Sequence, residues 1–161
     1  MGYTLRPFHP GDAEAIAVLT LAAIRVTGLR AYSLDQVSAW SARYAVARLL
    51  DGAAKGDVIL VAADPADDPA AYTVLEADGH LDMLYCHPDH SGHGLGLRLL
   101  AEAEQTARAL GIPRLFTEAS ELARPVFERA GYTLLQRRDF TIAHEGRDIA
   151  IHNYAMEKRL A

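Results

Sequence analysis

"LYCHPDHSGHGLGLRLL", Leu84 to Leu100, is the stretch on which the fold turns. It opens on the end of a β-rich apolar run, and Pro88, which cannot donate to a sheet ladder, marks the exit from that strand. Gly92, Gly94 and Gly96 then free the backbone before leucines appear at helical spacing. From Gly94 onward Leu95, Leu99, Leu100, Ala103, Ala107 and Leu110 fall on one helical face, and Gly111 with Pro113 supplies the stop. The unit is therefore strand, glycine turn, helix.

Three chemistries compete for such a turn. A Walker loop needs Lys followed by Ser or Thr after its last glycine, and Leu97 and Arg98 stand there. A dinucleotide fingerprint needs a third glycine where Leu97 lies, at the first strand-helix turn of the chain. Two readings remain: a glycine-softened loop that only enters a helix, or an anion cradle made of helix-start amides, which the helix dipole favours and glycine lets a phosphate approach. His87, His90 and His93, with Asp89, are metal-ligand types, but their spacing converges only in a special loop, and no metal is expected.

Working outward, Tyr3 to Phe8 alternates as a short strand, with Asp12 placed to cap a helix carrying Ile16, Leu19, Thr20 and Ala23. A second helix is expected from Ser33 as cap through Val37, Trp40, Tyr44 and Leu49, with Gly52 near its end. "DVILVAAD" (57–64), "AYTVLEADG" (71–79) and "HLDMLYCH" (80–87) read as three strands, the last two joined at Asp78-Gly79. "RLFTEAS" (114–120) reads as a strand and "ELARPVFERAG" (121–131) as a short helix. Tyr132 to Thr141 and Ile149 to Lys158 read as strands across "HEGR". This order implies an α+β or mixed α/β sheet, not a doubly wound one.

The 161 residues suit one domain, 1–161. A net charge of -5 with both signs interspersed gives no basic stripe, so neither nucleic acid nor an anionic membrane surface is expected as a partner. The single Cys86 rules out an intramolecular disulfide and fits a cytoplasmic location. No signal core and no run of about 18 apolar residues is present.

The quoted stretch resembles the acetyl-CoA loop of the GNAT N-acetyltransferase superfamily, where a strand ending in His-Pro or Asp-Pro leads to Q/R-x-x-G-x-G/A at a helix start. "FTEASELARPVFERAGY" (116–132) resembles the family's second landmark, and Ser33, Gln36 and Trp40 match an S-x-x-Q-x-x-x-W seen in small bacterial members. The resemblance implies a central, mostly antiparallel sheet of about six or seven strands, helices on both faces, and strands splayed at the cofactor site. It implies acetyl-CoA as co-substrate, held by the backbone of Leu84, Tyr85 and Cys86 along the pantetheine arm and by Ser91, Gly92, His93, Gly94, Leu95, Gly96 and Leu97 at the pyrophosphate. Ser120 stands where many members have a cofactor-contacting Asn, and Ser91 replaces the usual Gln or Arg.

Acetyl transfer to an amine needs a base for the ammonium proton and a route for the departing thiolate. Strand alternation places His80, Asp82, Leu84 and Cys86 on one face, and family members that use a base often carry it at the His80 or Asp82 positions. A neutral His80 with an ordinary pKa near 6.5 is the expectation. Glu118 is a further base or amine anchor. Phe127 occupies the place of a frequent acidic Tyr, which leaves Tyr154 and Tyr85 as donors. Cys86, without an adjacent base, is expected to pack as a small hydrophobe. Trp40 is expected in the core, and Tyr32 at the acceptor pocket. The implied partner is a small-molecule or peptide amine, with a homodimer allowed. A catalytically silent acyl-CoA sensor or interaction module is the alternative, motivated by Phe127 and Ser91.

Overall fold

The computed structural model describes residues 2–160. Among the described residues seven strands form two sheets. β1 (Thr4–Pro7), β2 (Val58–Ala63), β3 (Pro69–Leu75) and β4 (Leu81–Cys86) are antiparallel neighbours in that order. β5 (Arg114–Ala119), β6 (Thr133–His144) and β7 (Arg147–Arg159) form the second sheet in the order β5-β7-β6. Among the described residues the sheets meet at one parallel bridge, His80 with Phe116, reinforced where Thr117 Oγ1 donates to Leu81 O at 2.8 Å. Beyond that seam β4 and β5 diverge, so the strand edges splay as the resemblance implied.

Helices cover both faces. α1 (Ala13–Val26), α2 (Leu34–Ala42) and α3 (Val46–Lys55) lie on one side, and α4 (Leu95–Ala109) with α5 (Arg124–Arg129) on the other. The α4 leucines and alanines, with Leu75, Leu81, Leu115 and Met156, make the larger core cluster. Ile16, Leu19 and Leu49 pack on Val61, Tyr72 and Met83 across the sheet. Burying such side chains contributes roughly 1.5–3 kcal/mol each.

The long second helix expected from Ser33 is instead two. Ala45 is extended (φ -138°, ψ 125°) between them. Val37 packs with Ile24, Ile142 and Ile149, whereas Leu49 packs with Ile16 and Ile59, and one straight rod cannot reach both clusters. Ser33 does cap α2: its Oγ accepts from Gln36 N–H (3.1 Å), and Gln36 Oε1 accepts from Ser33 N–H (2.8 Å). The same Gln36 donates from Nε2 to Ala150 O (2.9 Å) and so pins α2 to β7. α3 ends at Gly56, whose φ of 100° is left-handed, not at Gly52.

Asp12 is no side-chain cap. It lies in a 3-10 turn, where its buried carboxylate accepts both Arg6 guanidinium nitrogens (2.8 and 3.0 Å) and the His9 N–H (2.8 Å). The Asp78-Gly79 turn forms as read. Gly79, at φ 95°, lies so close to Arg114 O that a Cβ would sit 2.0 Å from it. That close approach brings β4 to β5 at the seam.

β4 contains a bulge. Leu75 pairs with Leu81 and Val74 with Met83, which leaves Asp82 as the extra residue. The side-chain alternation is reset there. Leu81, Leu84 and Cys86 belong to the α4-side cluster, Met83 to the α1-side cluster, and Asp82 pairs with Arg48 of α3. The expected common face of His80, Asp82, Leu84 and Cys86 is thus corrected: Asp82 faces α3, while Leu84 and Cys86 face α4.

Candidate active site

A cavity of about 500 Å³ opens where β4 and β5 part. Leu84 and Tyr85 line it from one strand edge, Glu118 and Ser120 from the other, with α2 and α3 above it and β6 and β7 beside it. β4 is the edge of its sheet, so the outer backbone groups of 84–86 have no strand partner past the seam.

At the exit of β4 the chain makes a 3-10 turn (Pro88–His90) and enters the glycine loop. Gly92 (φ 83°) and Gly94 (φ 69°) are left-handed, and a Cβ on either would meet nothing within 4 Å. Space above this backbone is therefore open. Gly96 serves differently: a Cβ there would come 3.1 Å from Val126, so its bare backbone lets α4 start against α5. The α4 ladder begins with Arg98 N–H to Gly94 O at 3.1 Å, which leaves the amides of Leu95, Gly96 and Leu97 ahead of it. Leu95 itself is buried. This combination suits a diphosphate.

The loop's polar side chains are occupied locally. Ser91 Oγ donates to Pro88 O (2.8 Å), His87 Nδ1 accepts from Asp89 N–H (3.1 Å), and His90 Nδ1 bonds the Tyr3 hydroxyl (2.8 Å). His93 leans on the Tyr3 ring, 5.3 Å between centroids. Ser120 Oγ accepts from Ala123 N–H at 3.1 Å and so caps the approach to α5.

At the seam His80 is clamped between carboxylates. Nδ1 contacts Glu76 Oε1, Nε2 contacts Glu118 Oε1 at 2.7 Å, and the ring stacks on Phe116 at 5.0 Å. The bond to Glu118, and then that to Glu76, outweighs burial and raises its pKa to about 9. His80 is accordingly an imidazolium at neutral pH, in contrast to the neutral histidine expected. Glu118 is held below the ordinary glutamate range, first by His80. Asp82 is pushed up by burial despite its ion pair with Arg48 at 2.6 Å. Glu76, His80 and Asp82 lie close enough for a shared ion by type, but two of the three already hold a cation.

Tyr154 is buried, and its hydroxyl donates to Glu121 Oε2 at 2.8 Å. The same oxygen contacts His152 Nε2 at 2.6 Å. Tyr32, also buried, donates to His152 O (2.9 Å) and accepts from Glu121 N–H (2.8 Å). Tyr32 and His152 line the cavity, and of this four-residue network the sequence nominates Tyr32 and Tyr154 but neither Glu121 nor His152. Its legible signal is the polar pair His152-Asn153 interrupting a strand of Ile149, Ile151 and Met156. Tyr85 and Phe127 also line the cavity. Burial pushes Tyr85 to about 12 and the Cys86 thiol to about 11.

Residues 28–146 match the family model "Acetyltransferase (GNAT) domain". An uncharacterized N-acetyltransferase of Escherichia coli K12, YafP, is 27% identical over 135 residues, 83% of this chain and 84% of that protein. The crystal structure of a GCN5-related N-acetyltransferase from Rhodopseudomonas palustris superposes with TM-score 0.84 at 32% identity, covering 99% of this chain and 97% of that one. PaiA N-acetyltransferase from Thermoplasma acidophilum, solved in complex with coenzyme A, shares the fold at TM-score 0.79 and 18% identity over 99% and 100% of the two chains. With the splayed sheet and the glycine-started helix in place, these matches assign the chain to the GNAT acetyltransferase family.

Proposed function

We propose that this chain, acting as one domain, transfers an acetyl group from acetyl-CoA to an amine by direct attack in a ternary complex. The observation that carries the reading is the juxtaposition of an open amide cradle at Gly92–Leu97 with an unpaired β4 edge at the mouth of the cavity. The amides of Gly92, His93, Gly94, Leu95, Gly96 and Leu97 bind the pyrophosphate, with Ser91 at the loop entrance. Backbone groups of Leu84, Tyr85 and Cys86 pair with the pantetheine arm, as an added strand would. Ser120 shapes the facing wall. Acetyl-CoA supplies the activated acyl carbon, and the residues supply position and proton handling.

Glu118 is the base. It faces the cavity, stays ionised because His80 stands behind it, and has Oε2 available for an ammonium or a bridging water. His80 is a positioning residue that fixes Glu118. Asp82, tied to Arg48, sets the charge of the adjoining wall. The amine, once deprotonated by Glu118, attacks the thioester carbon; the C–N bond forms, the C–S bond breaks, the thiolate leaves, and the proton that the nitrogen still has to lose passes to that thiolate through water. A thiol of ordinary pKa near 8.5 departs without a dedicated acid, which agrees with Phe127 at the cavity and with Tyr85 near 12. Tyr154, bonded to Glu121, steadies the His152 wall. An acyl-enzyme on Cys86 is disfavoured by a thiol raised to about 11.

The test is calorimetric and thermal: millimolar acetyl-CoA should give a binding isotherm and raise the melting temperature. Neither effect, in protein that is folded by circular dichroism, would overturn the assignment of the cradle.

A further inference from the structure

The cavity that opens at the split sheet carries more positive charge at its mouth than its carboxylates balance. Arg43, Arg48 and Arg138 line it together with Asp82 and Glu118. Arg48 is paired with Asp82 at 2.6 Å, and one oxygen of Glu118, Oε1, is paired with His80 at 2.7 Å. Among the described residues neither Arg43 nor Arg138 forms a salt bridge, although Arg138 is near enough to Glu118 to help hold its carboxyl down. Arg138 makes one neutral hydrogen bond, to Asn153 Oδ1 at 3.2 Å, and lies 5.8 Å from the Phe140 ring centroid. Arg43, at the C-terminal cap of α2, makes no side-chain hydrogen bond or ion pair among the described residues.

Two guanidiniums without a salt bridge among the described residues line one cavity, against the balance of a chain whose net charge is -5. They come from separate elements, the C-terminal cap of α2 and the middle of β6, and both line this cavity. No residue of 91–97 lines this cavity, so the coenzyme phosphates and these arginines occupy different places. Guanidinium groups pair best with planar or tetrahedral oxyanions, in which two N–H groups meet two oxygens.

Resting on the transferase reading above, we infer that the acceptor is a zwitterion: an amine that also carries a carboxylate or a phosphorus-acid group. Its anion lies on Arg43 and Arg138, and its nitrogen is thereby directed toward Glu118. A charge-assisted pair of this kind strengthens binding about 10-fold or more, so the effect belongs in KM and in the choice among acceptors. An amine without the anion lacks the anchor that aims it.

The experiment is amine-dependent thiol release from acetyl-CoA with matched acceptors: amino acids, their decarboxylated amines, and aminoalkylphosphonates. The anionic members should show kcat/KM about 10-fold or more above the decarboxylated amines. Preference for the carboxylate or phosphonate set then identifies which oxyanion fits. R43A and R138A should each raise KM for the anionic acceptor about 10-fold, with partial recovery in R43K and R138K, and with no comparable change for the decarboxylated amine. Equal or better turnover of the decarboxylated amines overturns the inference while leaving the transferase intact. So does a loss confined to acetyl-CoA affinity in R43A and R138A, which would place the arginines on the coenzyme. Absence of thiol release with every acceptor overturns the transferase reading itself, and this inference with it.

Discussion

His80 and Glu118 face one another at the seam where the two sheets join, with Nε2 and Oε1 2.7 Å apart. The contact places a cation directly behind the carboxylate assigned as base. Replacing His80 by Gln removes that cation and leaves Glu76 and Glu118 as close carboxylates. The variant should lose about 1–3 kcal/mol of stability near pH 6. The pH dependence has a fixed sign: the folded pKa of about 9 exceeds the unfolded value of 6.5. The stabilisation is therefore complete below pH 6.5 and lost as pH rises through about 9. Urea unfolding at pH 6 and pH 10 checks this, since the gap between wild type and H80Q should shrink at the higher pH. In the same variant the acid limb of the kcat profile should move to higher pH, because Glu118 is no longer held down.

Glu118→Gln keeps shape and a hydrogen-bond partner for His80 but cannot take a proton. Turnover should fall by about 10²–10⁴-fold, with acetyl-CoA affinity within about 2-fold of wild type by calorimetry. A proportional loss of coenzyme binding would instead mark Glu118 as part of the cradle.

Gly94→Trp projects a large side chain from a left-handed position into open space. Acetyl-CoA affinity should drop at least about 10-fold, while the fold loses only about 1–2 kcal/mol for the strained backbone. Gly96→Trp is expected to cost more stability, because Val126 already stands 3.1 Å from where a Cβ would be. Paired melting curves and titrations of the two variants separate blocked binding from damaged packing.

Much of this arrangement was legible locally. The glycine turn, the α4 stripe and the Asp78-Gly79 hairpin depend on residues a few positions apart, and each forms where the sequence indicates, save that Leu110, expected in the stripe, lies exposed just past the end of α4. The bulge at Asp82 was not legible, because it is a mismatch of register between β3 and β4 that no pattern within β4 records. The break at Ala45 was hidden for a similar reason: Val37 and Leu49 share helical spacing but answer to different clusters. The charge state of His80 depends on Glu118, 38 positions away. The Glu121–His152 contact likewise joins two elements distant in the chain. Residue types nominated the candidates, and tertiary pairing decided their roles.

Direct attack predicts that acetyl-CoA alone leaves the protein's mass unchanged, since Cys86 is raised to about 11 and donates weakly to His87 O at 3.5 Å. Initial-velocity lines should intersect when both substrates are varied. Parallel lines, or a stable acetyl adduct on Cys86 by intact-mass spectrometry, would require a covalent route.

The most direct measurement of the central claim is amine-dependent thiol release from acetyl-CoA, followed together with the mass of the acceptor. The account predicts release that requires the amine, matched mole for mole by acetylated acceptor, and reduced about 10²–10⁴-fold in Glu118→Gln. Tight acetyl-CoA binding with no amine-dependent release across a broad acceptor panel would contradict it and leave a silent acyl-CoA sensor as the function of this fold.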